Sequence, residues 1–265
     1  MIIPVWKNIG ASTHQLAKEI GKQTFLKTNN PEDLKATHTG TLDPMAEGLV
    51  VVLTGKDRFN KGKLTNWRKT YQFEILFGVS TDSLDLLGKK TKLITNILNN
   101  NSNLKTIFKN CDNLSKIIPN FIGKQIQIQP DFSAQRIKGK SGFDLAKSEQ
   151  VFSAKKNEIE IYSLNIIDSK SISLKTIKDT ITKKINSVSG DFRQTEIIND
   201  WQDCLNILEK NNINLLPIYK MQTVVSKRTY IRSLVKLISE KLNIPATTYS
   251  IIRLQEGIYS KEDCK

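Results

Sequence analysis

The sequence predicts an α/β (α+β) fold in which a sheet is flanked by helices, and two clear periodicities carry this prediction. From Lys69 to Gly78, apolar residues alternate with mostly polar ones, as expected of a strand with one buried face. From Leu174 to Val188, apolar residues recur every three or four positions, which is the spacing of an amphipathic helix. The chain of 265 residues is long enough to bury a full core between such elements.

The remaining elements follow in chain order. A short strand is predicted at Ile2 to Val5. A helix of about three turns begins near Ser12, which can cap it, and Gly21 is expected to end it. The other predicted elements are strands near Leu49, Ile159 and Val224, and helices over Thr95 to Phe108, Trp201 to Leu208 and Ile231 to Leu242.

The composition excludes several classes of protein. No apolar stretch approaches the roughly 20 residues that span a bilayer, and no signal peptide is recognisable, so an untranslocated protein without membrane contact is expected. Three scattered cysteines and two histidines give neither zinc-site spacing nor a disulfide framework. Asp82 and Asp85 are predicted to form hydrogen bonds in a turn, since no further ligands for a metal lie nearby. The net charge of +14 favours a nucleic-acid partner, with a lysine-rich coding bias as the alternative.

The stretch from His38 to Gly48 is the strongest candidate for a functional site. It reads His-Thr-Gly-Thr-Leu-Asp-Pro-Met-Ala-Glu-Gly and is followed by the apolar run Leu49 to Leu53. Two glycines, an acid held by the proline after it, and a β-branched run indicate a structured loop beside a strand. Asp43 is therefore a candidate catalytic carboxylate, although the local pattern alone favours an ordinary turn aspartate.

Four further features are ambiguous from the residues alone. Lys7 precedes a glycine turn and fits either a phosphate contact or an exposed surface position. Tyr71 begins the alternating strand, where a core position is favoured. Arg232 lies in a first helical turn, against the helix dipole, which indicates either an anionic partner or a free surface side chain. Residues 125–150 mix aromatic and basic residues with glycines, and are interpreted as a basic arm that closes over an RNA backbone, or as a solvated loop.

Two sequence motifs in this chain are highly specific. They are Gly-Thr-Leu-Asp-Pro around Asp43 and Thr-Tyr-Ile-Arg ending at Arg232. Weaker motifs accompany them at Lys7 to Ser12, Lys69 to Tyr71, Leu76 to Gly78, Thr81 to Gly88, Gln129 to Ala134, Gly139-Lys140 and Arg253 to Gly257. In this order the motifs resemble the TruB-type tRNA pseudouridine synthases over nearly the whole chain. The resemblance implies a catalytic domain with a mixed, largely antiparallel sheet and an active cleft across its face.

The resemblance also implies roles for individual residues. Asp43 matches the essential aspartate, which attacks or deprotonates the ribose so that uracil detaches, rotates and rejoins through C5. Arg232 matches the arginine that pairs with this aspartate, and Tyr71 matches the ring that stacks on the target base. His38 matches the histidine that enters the space left by the flipped base. The further expected substrate-binding residues are Tyr230, Ile251, Lys7 and Lys69.

The chain departs from the family pattern in single residues and in two larger features. The single residues concern RNA affinity more than chemistry, and they are Asn8, Thr37, Arg136, Ile251 and Ile252. Residues 168–216 lengthen a connection that is short in bacterial relatives, which predicts a helical insertion. The lysines expected to contact RNA phosphates from this insertion are Lys175, Lys178, Lys183 and Lys184. One catalytic domain over residues 1–265 is expected, without the C-terminal RNA-binding domain of many relatives.

The predicted function is isomerisation of the T-loop uridine, position 55 of tRNA, to pseudouridine, without a metal or organic cofactor. The alternatives are a non-catalytic RNA-folding factor and a related synthase that acts on another RNA. The expected partner is the tRNA T-stem-loop, and a monomer is expected because few surface aromatics indicate a partner subunit. The expected location is the cytoplasm of a bacterium, with an organelle of similar coding bias as the alternative.

Overall fold

A single large sheet forms the body of the protein. The computed structural model describes residues 1–96, 111–133 and 155–264, and the backbone of a short hairpin inside the remaining gap. The strands, in chain order, are β1 (Ile2–Lys7), β2 (Ala36–His38), β3 (Ala46–Thr54), β4 (Lys69–Phe77), β5 (Val79–Thr81), β6 (Lys90–Leu93), β7 (Gly123–Ile128), β8 (Arg136–Ile137), β9 (Lys140–Ser141), β10 (Lys156–Ser173), β11 (Leu215–Val225) and β12 (Ala246–Glu256).

The sheet is mixed and largely antiparallel, as predicted. Its order is β1, β3, β12, β4, β11, β10, β7, and β2 pairs with β3 beside this path. Of these neighbouring pairs, β12 and β3 run parallel and the others antiparallel. Two separate hairpins, β5 with β6 and β8 with β9, complete the described strands.

Helices pack against this sheet and connect its strands. The α-helices are α1 (Thr13–Thr28), α2 (Lys61–Leu64), α3 (Leu114–Ile117), α4 (Leu174–Asn186), α5 (Gln194–Lys210) and α6 (Ile231–Leu242). Short 3-10 segments lie at Pro31–Leu34, Gly55–Asn60, Ile94–Asn96, Ile118–Phe121 and Lys261–Asp263. Within the described ranges, every helix is too short or too polar to cross a lipid bilayer. Most of the helix predicted over Thr95 to Phe108 lies outside the described residues.

The first helix begins as predicted but runs past its predicted end. The Ser12 hydroxyl accepts a hydrogen bond from the Gln15 backbone N–H at 3.4 Å, so Ser12 caps α1. Gly21 does not stop the helix, which continues until Asn29 adopts a left-handed conformation. A Cβ at position 21 would lie 2.9 Å from the Leu34 carbonyl oxygen, so this glycine allows the close packing of α1 on the following segment.

Strand β12 was missed from the sequence, although it lies in the middle of the sheet. Residues 246–249 are buried on both sides of the strand. Farther along, a buried position carries Arg253 and a half-buried one carries Ile252, so the residues lack the apolar–polar alternation that identifies a half-exposed strand. Gly48 of β3 makes the parallel pairing possible, because it has φ +124° and a Cβ there would lie 2.4 Å from the Arg253 carbonyl oxygen. This contact brings β12, with Ile251 and Arg253, beside the Asp43 loop.

The segment predicted as a helical insertion forms α4 and α5 between the long paired strands β10 and β11. Helix α4 buries Ile177, Ile181 and Ile185 in the main core, and α5 buries Trp201 and Leu208 there. The periodicity of Leu174 to Val188 thus predicted a helix correctly.

The start of the expected basic arm has a different structure from the one predicted. Residues 123–128 form β7, the end strand of the sheet path, and pair with β10 from Gly123 opposite Ile161 to Ile128 opposite Lys156. The lysines of the expected arm, from Lys138 to Lys147, have side chains outside the described residues. An arm beyond β7 stays a prediction.

Candidate active site

The Asp43 loop joins β2 to β3 and is held in place by the beginning of the chain. The Gly10 backbone N–H donates to the Pro44 carbonyl at 2.8 Å. The Thr13 hydroxyl both accepts from the Leu42 N–H and donates to the Leu42 carbonyl, each at 3.0 Å. Hydrogen bonds on both sides of Asp43 therefore fix its backbone before any substrate binds.

Lys7 lies beneath this loop and is fully buried. Its ammonium donates to the carbonyls of Ala46 at 2.6 Å and of Asp43 and Asn8 at 3.2 Å. Burial lowers the Lys7 pKa to about 8, although the Asp43 carboxylate opposes the shift. The ammonium is enclosed and holds the loop in this structure, and a contact of Lys7 with RNA stays a prediction.

Arg232 occupies the first turn of α6 and is 1% exposed. Its Nε donates to Asp43 Oδ2 at 2.8 Å, its Nη1 to the Ser83 carbonyl at 2.7 Å, and its Nη2 to the Phe132 carbonyl at 2.8 Å. The guanidinium is thus fixed in three directions, and its charge is matched by a carboxylate. Oδ1, the other oxygen of Asp43, accepts no hydrogen bond from the described part of the chain.

Asp85 is a second carboxylate beside Arg232, at 3.7 Å from Nε. Its Oδ1 accepts hydrogen bonds from the Ser83 hydroxyl at 2.6 Å and the Leu87 N–H at 3.0 Å, which confirms the predicted turn role. Burial raises the pKa of Asp85, while Arg232 opposes this shift. The sequence did not identify Asp85 as part of the site. The described residues contain no cluster of His, Cys, Asp and Glu that could hold a metal ion.

Asp43 faces a cavity of about 300 Å³ at the face of the sheet. Segments 39–43 and 226–231 form two of its sides, and β4 and β12 supply Tyr71, Ile251 and Arg253. This volume is at the lower end of the range typical of small-molecule sites, roughly 300 to 1,000 Å³. The cavity is therefore of a size suited to a single planar group.

The cavity combines aromatic, apolar and polar surfaces. Tyr71 and Ile251 are 8% and 6% exposed and present a ring and an aliphatic side chain. The backbone of Tyr230 is fixed by Gln127 of β7, which accepts from its N–H at 2.7 Å and donates to its carbonyl at 3.0 Å. Burial raises the pKa of both phenols, to about 12 for Tyr230. Both tyrosines are therefore neutral near pH 7.

A buried charged network behind the cavity was not foreseen. Glu256, fully buried, accepts a hydrogen bond from the Thr39 hydroxyl at 2.6 Å and lies 3.4 Å from both Lys69 Nζ and Arg253 Nη2. Arg253 also donates to the Gly40 carbonyl at 3.1 Å. Lys69 thus lines the cavity with its charge already paired. The motif at Arg253 to Gly257 signalled this segment, but no sequence pattern predicts a fully buried glutamate.

His38 ends β2, immediately before the residues that line the cavity. Its Nδ1 is buried and has no hydrogen-bond partner among the described residues. Burial, together with Lys61 and Arg253, lowers the His38 pKa to about 4. The imidazole is therefore neutral at pH 7, and its entry into RNA stays a prediction.

The fold and the site together define a class. Cbf5 in a solved Cbf5–Nop10–Gar1 complex has the same fold, with a TM-score of 0.51 and 15% identity over 98% of this chain and 50% of that chain. A second solved structure, an archaeal box H/ACA Nop10–Cbf5 complex, gives a TM-score of 0.50. The fold is thus that of the Cbf5-type proteins, here with a carboxylate–arginine pair facing a small cavity.

The family follows from the sequence comparisons. The sequence model of the TruB family pseudouridylate synthase N-terminal domain matches residues 25–186, so this chain belongs to the TruB family. Three proteins named tRNA pseudouridine synthase B are similar to it: from Aquifex aeolicus (35% identity over half of this chain), Listeria monocytogenes (27% over 99%) and Treponema denticola (31% over 99%). The matches cover 42%, 68% and 61% of those relatives' lengths.

Proposed function

We propose that this chain isomerises uridine to pseudouridine in tRNA, and that its target is the T-loop uridine at position 55. Family membership supports the reaction class. The observation that carries the proposal is the 2.8 Å contact between Arg232 Nε and Asp43 Oδ2 at the edge of the cavity. It orients the carboxylate, while Oδ1 accepts no hydrogen bond from the described residues and Asp43 lines the cavity.

The residues around the cavity are compatible with two reaction routes for the Asp43 carboxylate. In one, Asp43 Oδ1 bonds to ribose C1′ as the C1′–N1 bond breaks; in the other, it removes a proton from the ribose. In both, the electron pair of the broken bond leaves on uracil, which rotates and bonds C1′ through C5. In the first route the new C1′–C5 bond displaces Asp43 Oδ1 from C1′, and in the second the proton taken from the ribose returns to it as that bond forms. The C5 proton is then lost and N1 gains one, so the product is an isomer and no oxidant or cofactor is consumed.

Binding of the base is assigned to the apolar side of the cavity. A uridine in a folded loop must leave its stack to reach Asp43, and a ring is the natural receptor for an unstacked base. Tyr71 supplies that ring, and Ile251 on the neighbouring strand β12 supplies an apolar surface beside it. Tyr71 is a neutral phenol, so its proposed role is stacking and hydrogen bonding rather than action as a phenolate.

RNA docking is assigned to the positively charged mouth of the cavity. Lys227 and Arg228 line it, and Arg228 is exposed. The net charge of +14 supports binding to a phosphate backbone. We propose a monomer that acts where tRNA is processed, in the cytoplasm.

Tritium release from a T-stem-loop that carries 5-tritiated uridine tests this function, because bond formation at C5 displaces the tritium. Wild type should release it, and Asp43→Asn should not, while binding the same RNA with unchanged affinity. Binding without release by wild type would favour a non-catalytic RNA factor. Release from total cellular RNA but not from the T-stem-loop would favour a synthase with another target.

A further inference from the structure

Arg193, which immediately precedes α5, lies between two loops that meet at the active site. Its Nη2 is 3.4 Å from Asp82 Oδ2 in the loop after β5. Its Cζ lies 5.3 Å from the centre of the Phe132 ring, in the segment after β7. A single side chain therefore links two loops that are far apart in the sequence.

These two loops supply the carbonyl groups that fix Arg232. Ser83 directly follows Asp82, and its carbonyl accepts from Arg232 Nη1 at 2.7 Å. The carbonyl of Phe132 itself accepts from Nη2 at 2.8 Å. With both ends of the guanidinium held in this way, Nε is directed at Asp43. A shift of either loop would move Arg232 relative to the carboxylate.

Helix α5 supports the same loop and the first residue of β6. The indole N–H of Trp201, a residue 2% exposed, donates to the Leu86 carbonyl at 3.1 Å. Asp200 Oδ2 accepts from the Lys90 backbone N–H at 2.5 Å. The loop between β5 and β6 therefore rests against a packed helix, and Arg193 extends that support to Phe132.

The charge of α5 is unsuited to RNA. The helix carries Glu196, Asp200, Asp203 and Glu209 against one basic residue, Lys210. On α4, Lys184 donates to the Tyr249 carbonyl at 2.9 Å and lies over the Tyr249 ring, so it contacts β12 rather than solvent. Lys184 therefore binds a strand of the sheet, and Trp201 and Asp200 of α5 bind the segment from Leu86 to Lys90.

Resting on the proposed function, we propose that Arg193 is a positioning residue for pseudouridine formation. It ties Asp82 to Phe132 and so fixes the two carbonyl acceptors that direct Arg232 at Asp43. Arg193 does not line the cavity, so its effect belongs to the chemical step and not to RNA binding.

Three variants test the assignment in the tritium-release assay. Arg193→Met keeps the aliphatic stem and removes the guanidinium, Arg193→Lys keeps the charge, and Lys210→Met removes an exposed charge from the same helix. Losing an ion pair and a ring contact at a partly exposed site should lower kcat roughly three- to tenfold in Arg193→Met. KM, RNA affinity and its salt dependence should stay at wild-type values. Arg193→Lys should recover part of kcat, and Lys210→Met should equal wild type.

A double variant gives an independent measure of the link. Asp82→Asn removes the negative charge that pairs with Arg193. The amide oxygen of asparagine can still accept the hydrogen bond that Asp82 Oδ1 accepts from the Lys89 backbone N–H at 2.9 Å. Its effect on kcat should not add to that of Arg193→Met, because both changes remove the same contact. Full additivity would contradict the proposal.

The alternatives give different results. Weaker RNA binding with a shallower salt dependence and normal kcat would make Arg193 a phosphate contact and overturn the proposal. A lower melting temperature with normal kcat would leave only a structural role and also overturn it. If the wild type releases tritium and Arg193→Met has the same kcat, this inference alone is refuted. If the wild type releases no tritium, the proposed function is refuted and this inference with it.

Discussion

Replacing Arg232 by lysine tests how far the site depends on a fixed guanidinium fork. The substitution keeps a positive charge beside Asp43 but replaces planar donors by one rotating ammonium. Arg232 now makes hydrogen bonds of 2.8, 2.7 and 2.8 Å in three directions. An ammonium at one point cannot reach the carboxylate and the carbonyls of Ser83 and Phe132 together, so at least one of these contacts is lost.

The hydrogen bonds that Arg232→Lys loses determine the expected losses of stability and of activity. A buried hydrogen bond to a charged group contributes about 1.5 to 3 kcal/mol, so the loss of one or two should lower the free energy of unfolding by about 2 to 5 kcal/mol. That is less than most domains have, about 5 to 15 kcal/mol, and the variant should fold at low temperature. Loss of an oriented donor at a reacting group typically lowers kcat by about 100- to 1,000-fold.

Single-turnover tritium release, with saturating enzyme and well below the melting temperature, measures the chemical step directly. Arg58→Lys is the matched control, because Arg58 makes a surface pair with Glu32 at 3.0 Å, and its kcat should not change. RNA affinity should be similar in both variants. A folded Arg232→Lys enzyme with kcat within about threefold of wild type would refute the view that fork geometry, rather than charge alone, orients Asp43.

Two further predictions concern groups around the loop. Lys7→Met should lower the free energy of unfolding by about 2 to 4 kcal/mol and also lower kcat, because the buried carbonyls of Asp43 and Ala46 lose their donor; an unchanged thermal melt would contradict this. His38 has a folded-state pKa of about 4 against an ordinary 6.5, so the stability it contributes is present above pH 6.5 and is lost as the pH falls towards 4. Urea unfolding at pH 7 and pH 5 should show a smaller loss in His38→Asn than in wild type, and equal losses would contradict the assignment.

The sequence predicted the elements whose two faces differ. Strand β4 alternates because one side faces the core, and α4 has one buried stripe, so both periodicities are visible in the residues. Strand β12 is buried on both sides over its first four residues and carries Arg253 at a later buried position, so its residues show neither period. The end of α1 was misplaced for a related reason, since Gly21 serves contact with a neighbouring segment and not the end of the helix. Such packing demands depend on tertiary structure and leave no local signal.

In the site, too, some features could be predicted from the sequence and others could not: the side chains were predicted, but the groups that hold them in place were not. Asp43, Tyr71 and Arg232 were predicted from motifs; the structure places Asp43 and Tyr71 in one cavity and Arg232 in contact with Asp43. The backbone acceptors that fix Arg232 come from positions 149 and 100 residues away, and a carbonyl group is the same at every position. The burial of Lys7 was not predicted, because a buried and an exposed lysine have the same sequence signature.

The contacts of Arg232 leave one oxygen of Asp43 unbound by the guanidinium. A free guanidinium and a carboxylate favour a bidentate arrangement in which both carboxylate oxygens are bound. In this structure Nη1 and Nη2 donate to the carbonyls of Ser83 and Phe132, and Asp43 receives a single hydrogen bond from the guanidinium, from Nε. One carboxylate oxygen is therefore held, and under the proposed function the other is the one that acts on the ribose. If the proposed function holds, a change that turns Nη2 from the Phe132 carbonyl towards Asp43 should give a bidentate ion pair, bind both carboxylate oxygens and slow the reaction.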